Sequence, residues 1–151
     1  MSSRIRWILL GSVASLAFLL GGCASVPMAS TGADTAAKQF SPLPDKANVF
    51  IYRSEIIGSA IKMGLYLNDA PIVQTVAKTY TNLQLAPGQY RIRSHAENNS
   101  ELTLDAKAGE IYFIWQEVKM GIMSARCSLK LVDAETGRKG VNSCKLVAAH
   151  E

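Results

Sequence analysis

Three cysteines are the residues of this 151-residue chain whose chemistry depends most on their surroundings. Cys127 and Cys144 lie in its C-terminal part, and Cys23 stands alone at the end of an apolar stretch. An even pair of cysteines in an oxidising compartment predicts a disulfide, which would stabilise the fold by about 3 kcal/mol. Two buried free thiols are the alternative. A zinc site would require both to converge with His95 or His150, and their spacing matches no common zinc pattern.

The sequence contains no arrangement typical of an enzyme. Nucleophilic catalysis needs a base held against Ser or Cys, and His95 falls on the outward face of a predicted strand. The Gly-x-Ser-x-Gly, His-Glu-x-x-His and P-loop patterns are absent. Carboxylates such as Glu101 and Asp105 fall on predicted solvated strand faces. We therefore expect a non-catalytic protein without a metal or cofactor.

Charged and aromatic residues of the predicted strands suggest a binding surface instead. Arg91 and Arg93, with His95, should form an outward basic stripe, because every second side chain of a strand faces the same way. Flat aromatic surfaces come from the same region: Tyr66, Tyr80, Tyr112 and Trp115. Rings beside charged hydrogen-bonding groups suit carbohydrate or peptide, and Arg91, Arg93, Tyr112 and Trp115 are the candidate ligand-binding residues. The alternative places the rings in the core and the arginines on a solvated face.

Residues 1–22 have the composition of a secretory signal peptide. Arg4 and Arg6 precede an apolar run of 14 residues, 7–20, which small residues follow. The run is shorter than the roughly 20 residues that span a bilayer, so an uncut transmembrane anchor is the less favoured alternative. Removing residues 1–22 leaves 14 basic against 12 acidic residues. This near-neutral balance predicts no nucleic-acid partner.

The stretch Leu20-Gly21-Gly22-Cys23 resembles the lipobox of bacterial lipoproteins. The resemblance implies that Cys23 is acylated and becomes the first residue of the mature chain. Several acyl chains on one residue hold a protein stably at a membrane. Ala24 in the following position implies sorting to the outer membrane, facing the periplasm or the surface.

Residues 23–46 are predicted to form a lipidated flexible tether. They are rich in Ala, Ser, Thr and Pro and show no periodicity, so they cannot bury enough surface to offset their ordering entropy. About 20 flexible residues reach on the order of 25 Å. Phe40 and Leu43, the large apolar residues there, would at most dock on the edge of the domain.

Residues 47–151 are predicted to form a single all-β domain, an antiparallel β-sandwich. Apolar and alternating runs recur about every ten residues with turn signals between them. The run Ala47–Arg53 is apolar on both faces, which predicts either a central strand with a layer on each side or a core strand of the sandwich. Residues 133–140 are predicted to form a short helix or a hairpin loop, and Gly137 and Gly140 favour the loop. The loop at residues 120–123, Met-Gly-Ile-Met, contacts a partner or a bilayer or, as we favour, folds over the end of the sandwich.

Three stretches carry a further resemblance: Leu65-Tyr66-Leu67-Asn68-Asp69, Leu83-Gln84-Leu85-Ala86-Pro87-Gly88-Gln89-Tyr90 and Ala108-Gly109-Glu110-Ile111-Tyr112-Phe113. They resemble small bacterial lipoproteins with a domain of unknown function, which is similar in turn to PEGA-type and immunoglobulin-like sandwiches. The resemblance implies a non-enzymatic envelope domain. We expect an outer-membrane-anchored binding or structural module that binds glycan or peptidoglycan. The alternative is an accessory or inhibitory subunit of an envelope protein assembly.

Overall fold

The computed structural model describes residues 24–148, and the predicted signal peptide, Cys23 and His150 lie outside this range. Within it the chain forms two helices, α1 (Thr31–Ala37) and α2 (Ala134–Asn142). The strands are β1 (Ala47–Arg53), β2 (Met63–Leu67), β3 (Ala70–Thr75), β4 (Thr79–Leu85), β5 (Gly88–His95), β6 (Asn99–Ala106), β7 (Ile111–Met120), β8 (Ala125–Val132) and β9 (Lys145–Leu146). Between residues 24 and 148, no helix is long and apolar enough to cross a bilayer.

The strands form two sheets, of order β8-β7-β1-β4-β9 and β3-β2-β5-β6. Apolar side chains from both sheets meet in one buried cluster, so the two sheets pack face to face as a sandwich. Members of this interior cluster include Val49, Ile51, Leu65, Ile92, Leu104, Ile114 and Leu129. The predicted all-β sandwich is confirmed.

Two strand pairs differ from the predicted antiparallel pairing. β1 runs parallel to β7, with Tyr52 opposite Trp115, and β4 runs parallel to β9. The alternation of apolar and polar residues predicts which face of a strand is buried, but it does not predict which strand pairs with it. β1 therefore looked central in the sequence, but its parallel neighbour about 60 residues later could not be identified from periodicity.

A third layer covers the outer face of the five-stranded sheet. Phe50, Tyr80 and Phe113 form a second buried cluster with Phe40 and Val141, which come from the N-terminal segment and helix α2. All seven residues of β1 are buried as a result. The predicted layer on each side of β1 is thus present.

The prediction of a loop at residues 133–140 is wrong, because helix α2 occupies this stretch. Asp133 caps the helix and accepts a hydrogen bond from the Thr136 amide at 2.9 Å. The two glycines face the sheet: a Cβ on Gly137 would lie 2.1 Å from Phe113 Cγ, and one on Gly140 would lie 2.2 Å from Tyr52 Cε2. They were interpreted as helix breakers, but they allow the helix to lie directly on aromatic rings.

The segment predicted to be a flexible tether contacts the domain at several points along its described part, residues 24–46. Met28 pairs with Val147 in an antiparallel bridge. In helix α1, Asp34 accepts a hydrogen bond from the Leu146 amide at 2.9 Å. Phe40 is buried, with its ring centroid 5.1 Å from that of Phe50. The small polar residues of this segment show no periodic pattern in the sequence. They are ordered by pairing with the C-terminal strand, which is distant in the sequence.

Candidate functional site

The basic stripe lies on the outer face of the four-stranded sheet. Arg91 and Arg93 project outward from β5, as predicted, while Ile92 between them is fully buried. Arg91 pairs with Asp69, and Arg93 Nη2 lies 3.6 Å from the other carboxylate oxygen of Asp69. The Arg93 guanidinium also lies over the Tyr66 ring, 4.6 Å from its centroid. Each arginine therefore already has partners on its own surface, which fits a solvated face better than an open anion site.

Tyr112 and Trp115 lie on opposite faces of β7. Tyr112 packs against the sandwich interior, and its hydroxyl donates to the Asp105 carbonyl at 3.1 Å. Trp115 packs against the outer cluster, beneath the third layer. Because Arg91 and Arg93 belong to the other sheet, these four candidate residues do not converge on one site.

Trp115 does line a groove of about 280 Å³, between the five-stranded sheet and helix α2. The Tyr52 and Trp115 rings share this groove with hydroxyl-bearing residues and one lysine: Ser54, Thr136, Ser143 and Lys139. Burial raises the pKa of the Tyr52 hydroxyl to about 12. The groove thus combines aromatic surface with hydroxyl groups and one lysine.

A charged cluster lies beside the Trp115 ring. Lys130 Nζ is 5.3 Å from the ring centroid and 2.8 Å from Glu117 Oε2, and Lys119 Nζ is 3.1 Å from the same oxygen. The hydrogen bond from Lys130, followed by that from Lys119, holds the pKa of Glu117 below its usual range. The carboxylate keeps Lys130 over the indole, where a cation is attracted to the face of the ring.

The predicted disulfide is not formed, and Cys127 and Cys144 are buried free thiols. Cys127 lies on the interior side of the five-stranded sheet, beside Met63 and Val118. Cys144 lies on the outer side, where its thiol is 3.4 Å from the Arg53 carbonyl oxygen. The sheet separates the two sulfurs. Burial raises the pKa of Cys144, so the thiolate that disulfide chemistry needs is disfavoured.

A buried polar network, which was not predicted from the sequence, lies between the sheets. Gln116 of β7 is fully buried; its Oε1 accepts from the Thr75 hydroxyl at 2.6 Å and its Nε2 donates to the Ser94 hydroxyl at 2.7 Å. A polar residue at an inward position of an otherwise apolar strand is the signal that could have revealed it. The network joins β7 to β3 and β5 and so fixes how the sheets face each other.

Arg53 was also missed, although it ends the apolar β1 run. Its side chain is fully buried and donates to the carbonyl oxygens of Gly58 at 2.6 Å and Ile61 at 2.8 Å. Burial lowers the pKa of Arg53, yet such a group remains charged because its ordinary pKa is very high. The arginine thereby holds the β1–β2 loop against the end of the sandwich.

Comparison with known proteins gives a family without an assigned activity. Residues 44–127 match a family described as a protein of unknown function (DUF2846). The chain is also 33% identical, over 141 residues, to an uncharacterized protein of Haemophilus influenzae; the alignment covers 92% of this chain and 84% of that protein.

Proposed function

The chain belongs to the DUF2846 family, and on that premise we propose that it is an outer-membrane lipoprotein whose domain binds cell-wall glycan. The anchor is Cys23, at the end of the stretch Leu20-Gly21-Gly22-Cys23 that resembles a lipobox. Cleavage before this residue leaves the lipid as the attachment to the membrane. The role is non-catalytic: the domain holds the glycan without altering it.

The Trp115 groove is the observation that carries the glycan proposal. Sugar rings present flat C–H faces between hydroxyl groups, so a site for them needs an aromatic face with hydrogen-bonding groups around it. The partly exposed Trp115 ring supplies the aromatic face, the almost fully buried Tyr52 ring lies at the base of the groove, and Ser54 and Thr136 add hydroxyls. Lys139, on the exposed side of α2, supplies a cation for the carboxylates of peptidoglycan stem peptides.

Co-sedimentation with purified peptidoglycan sacculi tests this proposal, with the full lipidated chain in mild detergent. We expect the parent to sediment with sacculi and the retained fraction to fall about fivefold or more in Trp115→Ala, a loss of roughly 1 kcal/mol of binding. Lys139→Glu should fall in the same direction. It tests the same groove at an exposed position, so a folding defect does not obscure the result.

Arg91→Ala/Arg93→Ala is the matched control, because these side chains lie on the other sheet. It should sediment like the parent. A parent that stays in the supernatant would contradict glycan binding and favour the alternative, an accessory or inhibitory subunit of an envelope assembly. Retention that the arginine variant loses and the groove variants keep would place the binding face on the four-stranded sheet.

A further inference from the structure

One end of the sandwich carries an exposed apolar surface formed by two loops. The β7–β8 hairpin presents Met120, Ile122 and Met123, whose exposed fractions are 76%, 89% and 90%. The β1–β2 loop presents Ile56 and Ile57, at 70% and 54%. These five residues are here called the apolar end. The loop predicted to fold over the sandwich instead projects from it.

The two loops pack against each other at their bases. A Cβ placed on Gly58 of the β1–β2 loop would lie 3.0 Å from Ala125 Cβ and 3.5 Å from Val118 Cγ1, both of the hairpin. Gly58 has a φ of 69°, a conformation that other residues rarely adopt. The two loops that carry the five apolar side chains therefore lie side by side at this end of the sandwich.

Charged groups hold both loops in the conformation that exposes these side chains. The Glu97 carboxylate accepts hydrogen bonds from the amides of Ile122, Met123 and Ser124, at 3.3, 3.1 and 2.6 Å. Arg53 binds the Gly58 carbonyl from below, as described above. Hydrogen bonds between the tip amides and Glu97 keep the apolar side chains of the hairpin exposed. A loop without such hydrogen bonds would collapse and bury part of its apolar surface.

Basic residues lie immediately behind the hairpin tip. Lys119 and Arg126 face each other across β7 and β8, next to the pair Met120 and Ala125. Both side chains are exposed; Lys119 Nζ lies 3.1 Å from Glu117 Oε2, and such a surface ion pair contributes little, so headgroup phosphates can replace it. From this position behind the apolar tip, the lysine and arginine side chains can reach anionic headgroups while the tip enters the boundary between headgroups and acyl chains. The nearby Glu97 is already engaged by three amides, which reduces its repulsion of such a surface.

The predicted anchor joins the domain at this same end. The Ala24 amide donates to the Ser59 carbonyl, in the β1–β2 loop, at 3.3 Å. Cys23 is bonded directly to Ala24, and consecutive Cα atoms are about 3.8 Å apart. From Ala24 onward the chain is packed on the domain, so no tether separates an acylated Cys23 from the apolar end.

We infer that the apolar end docks on a phospholipid bilayer, with Ile122 and Met123 entering the acyl boundary and Lys119 and Arg126 on the phosphates. The inference rests on the proposed lipid anchor at Cys23. The anchor supplies the lasting attachment, and the apolar end fixes the orientation of the domain. With the anchor alone the sandwich could rotate, and with the apolar end alone it could dissociate from the membrane.

Site-specific fluorescence quenching tests the docking. The full lipidated chain carries an environment-sensitive label at Ile122→Cys and is reconstituted into phosphatidylethanolamine–phosphatidylglycerol vesicles; Cys127 and Cys144 are buried and escape labelling. We expect at least twofold quenching by spin-labelled lipid and protection from aqueous iodide. The matched control is Leu131→Cys, also an exposed apolar position but at the opposite end of β8, and it should be quenched by iodide alone.

A second measurement avoids an effect of the label itself. With the label at Ile57→Cys, the replacements Ile122→Ser and Met123→Ser should reduce lipid quenching by half or more, and both side chains are too exposed to affect folding. Vesicle flotation separates the two proposals. A chain that floats while its Ile122 label remains open to iodide overturns the docking and leaves the anchor intact; a chain that does not float overturns both.

Discussion

Gly137 and Gly140 bring helix α2 closer to the sheet than any side chain would allow. Their α-carbons lie against the Phe113 and Tyr52 rings, which in turn form the outer cluster and one wall of the groove. Glycine inside a helix costs about 1 kcal/mol relative to alanine. Close packing on the rings offsets that cost, so these glycines are structural contacts and the groove depends on them.

We expect Gly137→Ala to destabilise the fold by about 2 kcal/mol, because overpacking a buried contact exceeds the gain in helix propensity. Urea unfolding of the purified protein measures the change. Gly32→Ala is the matched control: the nearest atom to its new Cβ is Ser30 Oγ, at 4.0 Å. It should be neutral or stabilising by about 0.5 kcal/mol. Equal stability of Gly137→Ala and the parent would contradict the close packing.

The β7–β8 hairpin shows how one carboxylate can organise an element. Hydrogen bonds from the backbone amide of Ser124, with those of Met123 and Ile122, hold the pKa of Glu97 below its usual value of 4.5. A group whose pKa is lower in the folded state stabilises that state above its unfolded pKa. The stabilisation is lost as the pH falls through the folded value.

We therefore expect the hairpin tip to stay ordered at neutral pH and to loosen as the pH falls below about 4.5. Amide hydrogen exchange of residues 122–124, corrected for the intrinsic pH dependence, measures this. In Glu97→Gln the neutral amide binds the backbone more weakly, so exchange should be faster at neutral pH and lose its acid transition. A transition that persists in Glu97→Gln would assign the effect to another group.

The sequence predicted the strands better than their arrangement. Alternation correctly placed Arg91 and Arg93 of β5 and Glu101 and Asp105 of β6 on outward faces, because burial of one face imposes a period of two. The parallel β1–β7 pair, the docked N-terminal segment and α2 depend on contacts between distant residues. Of the candidate site, Trp115 lines a groove, while Arg91 and Arg93 lie elsewhere: the sequence shows which way a side chain points but not which sheet it joins.

One end of the sandwich is apolar and the other is polar, so the molecule is asymmetric along its strands. Loops at the apolar end expose Ile56, Ile122 and Met123, whereas turns at the other end contain polar residues such as Asp69 and Lys107. Because Ala24 and the apolar end lie at the same end of the sandwich, docking of the apolar end beside the proposed anchor would direct the strands away from the bilayer surface. Strands of eight residues span about 26 Å, so Lys107 should lie roughly that far from the headgroups.

Energy transfer from a donor on Lys107→Cys to acceptor-labelled lipid measures this height in vesicles that contain the full lipidated chain. We expect a distance on the order of 30 Å with a narrow distribution, because a docked domain cannot tumble. Insertion of 20 Gly and Ser residues between Cys23 and Ala24 should leave flotation unchanged. If the apolar end docks by its own affinity, the distance stays narrow; if only the short connection orients the domain, it broadens. Free tumbling in the parent would contradict a fixed orientation, and the groove would then face the membrane as often as the cell wall.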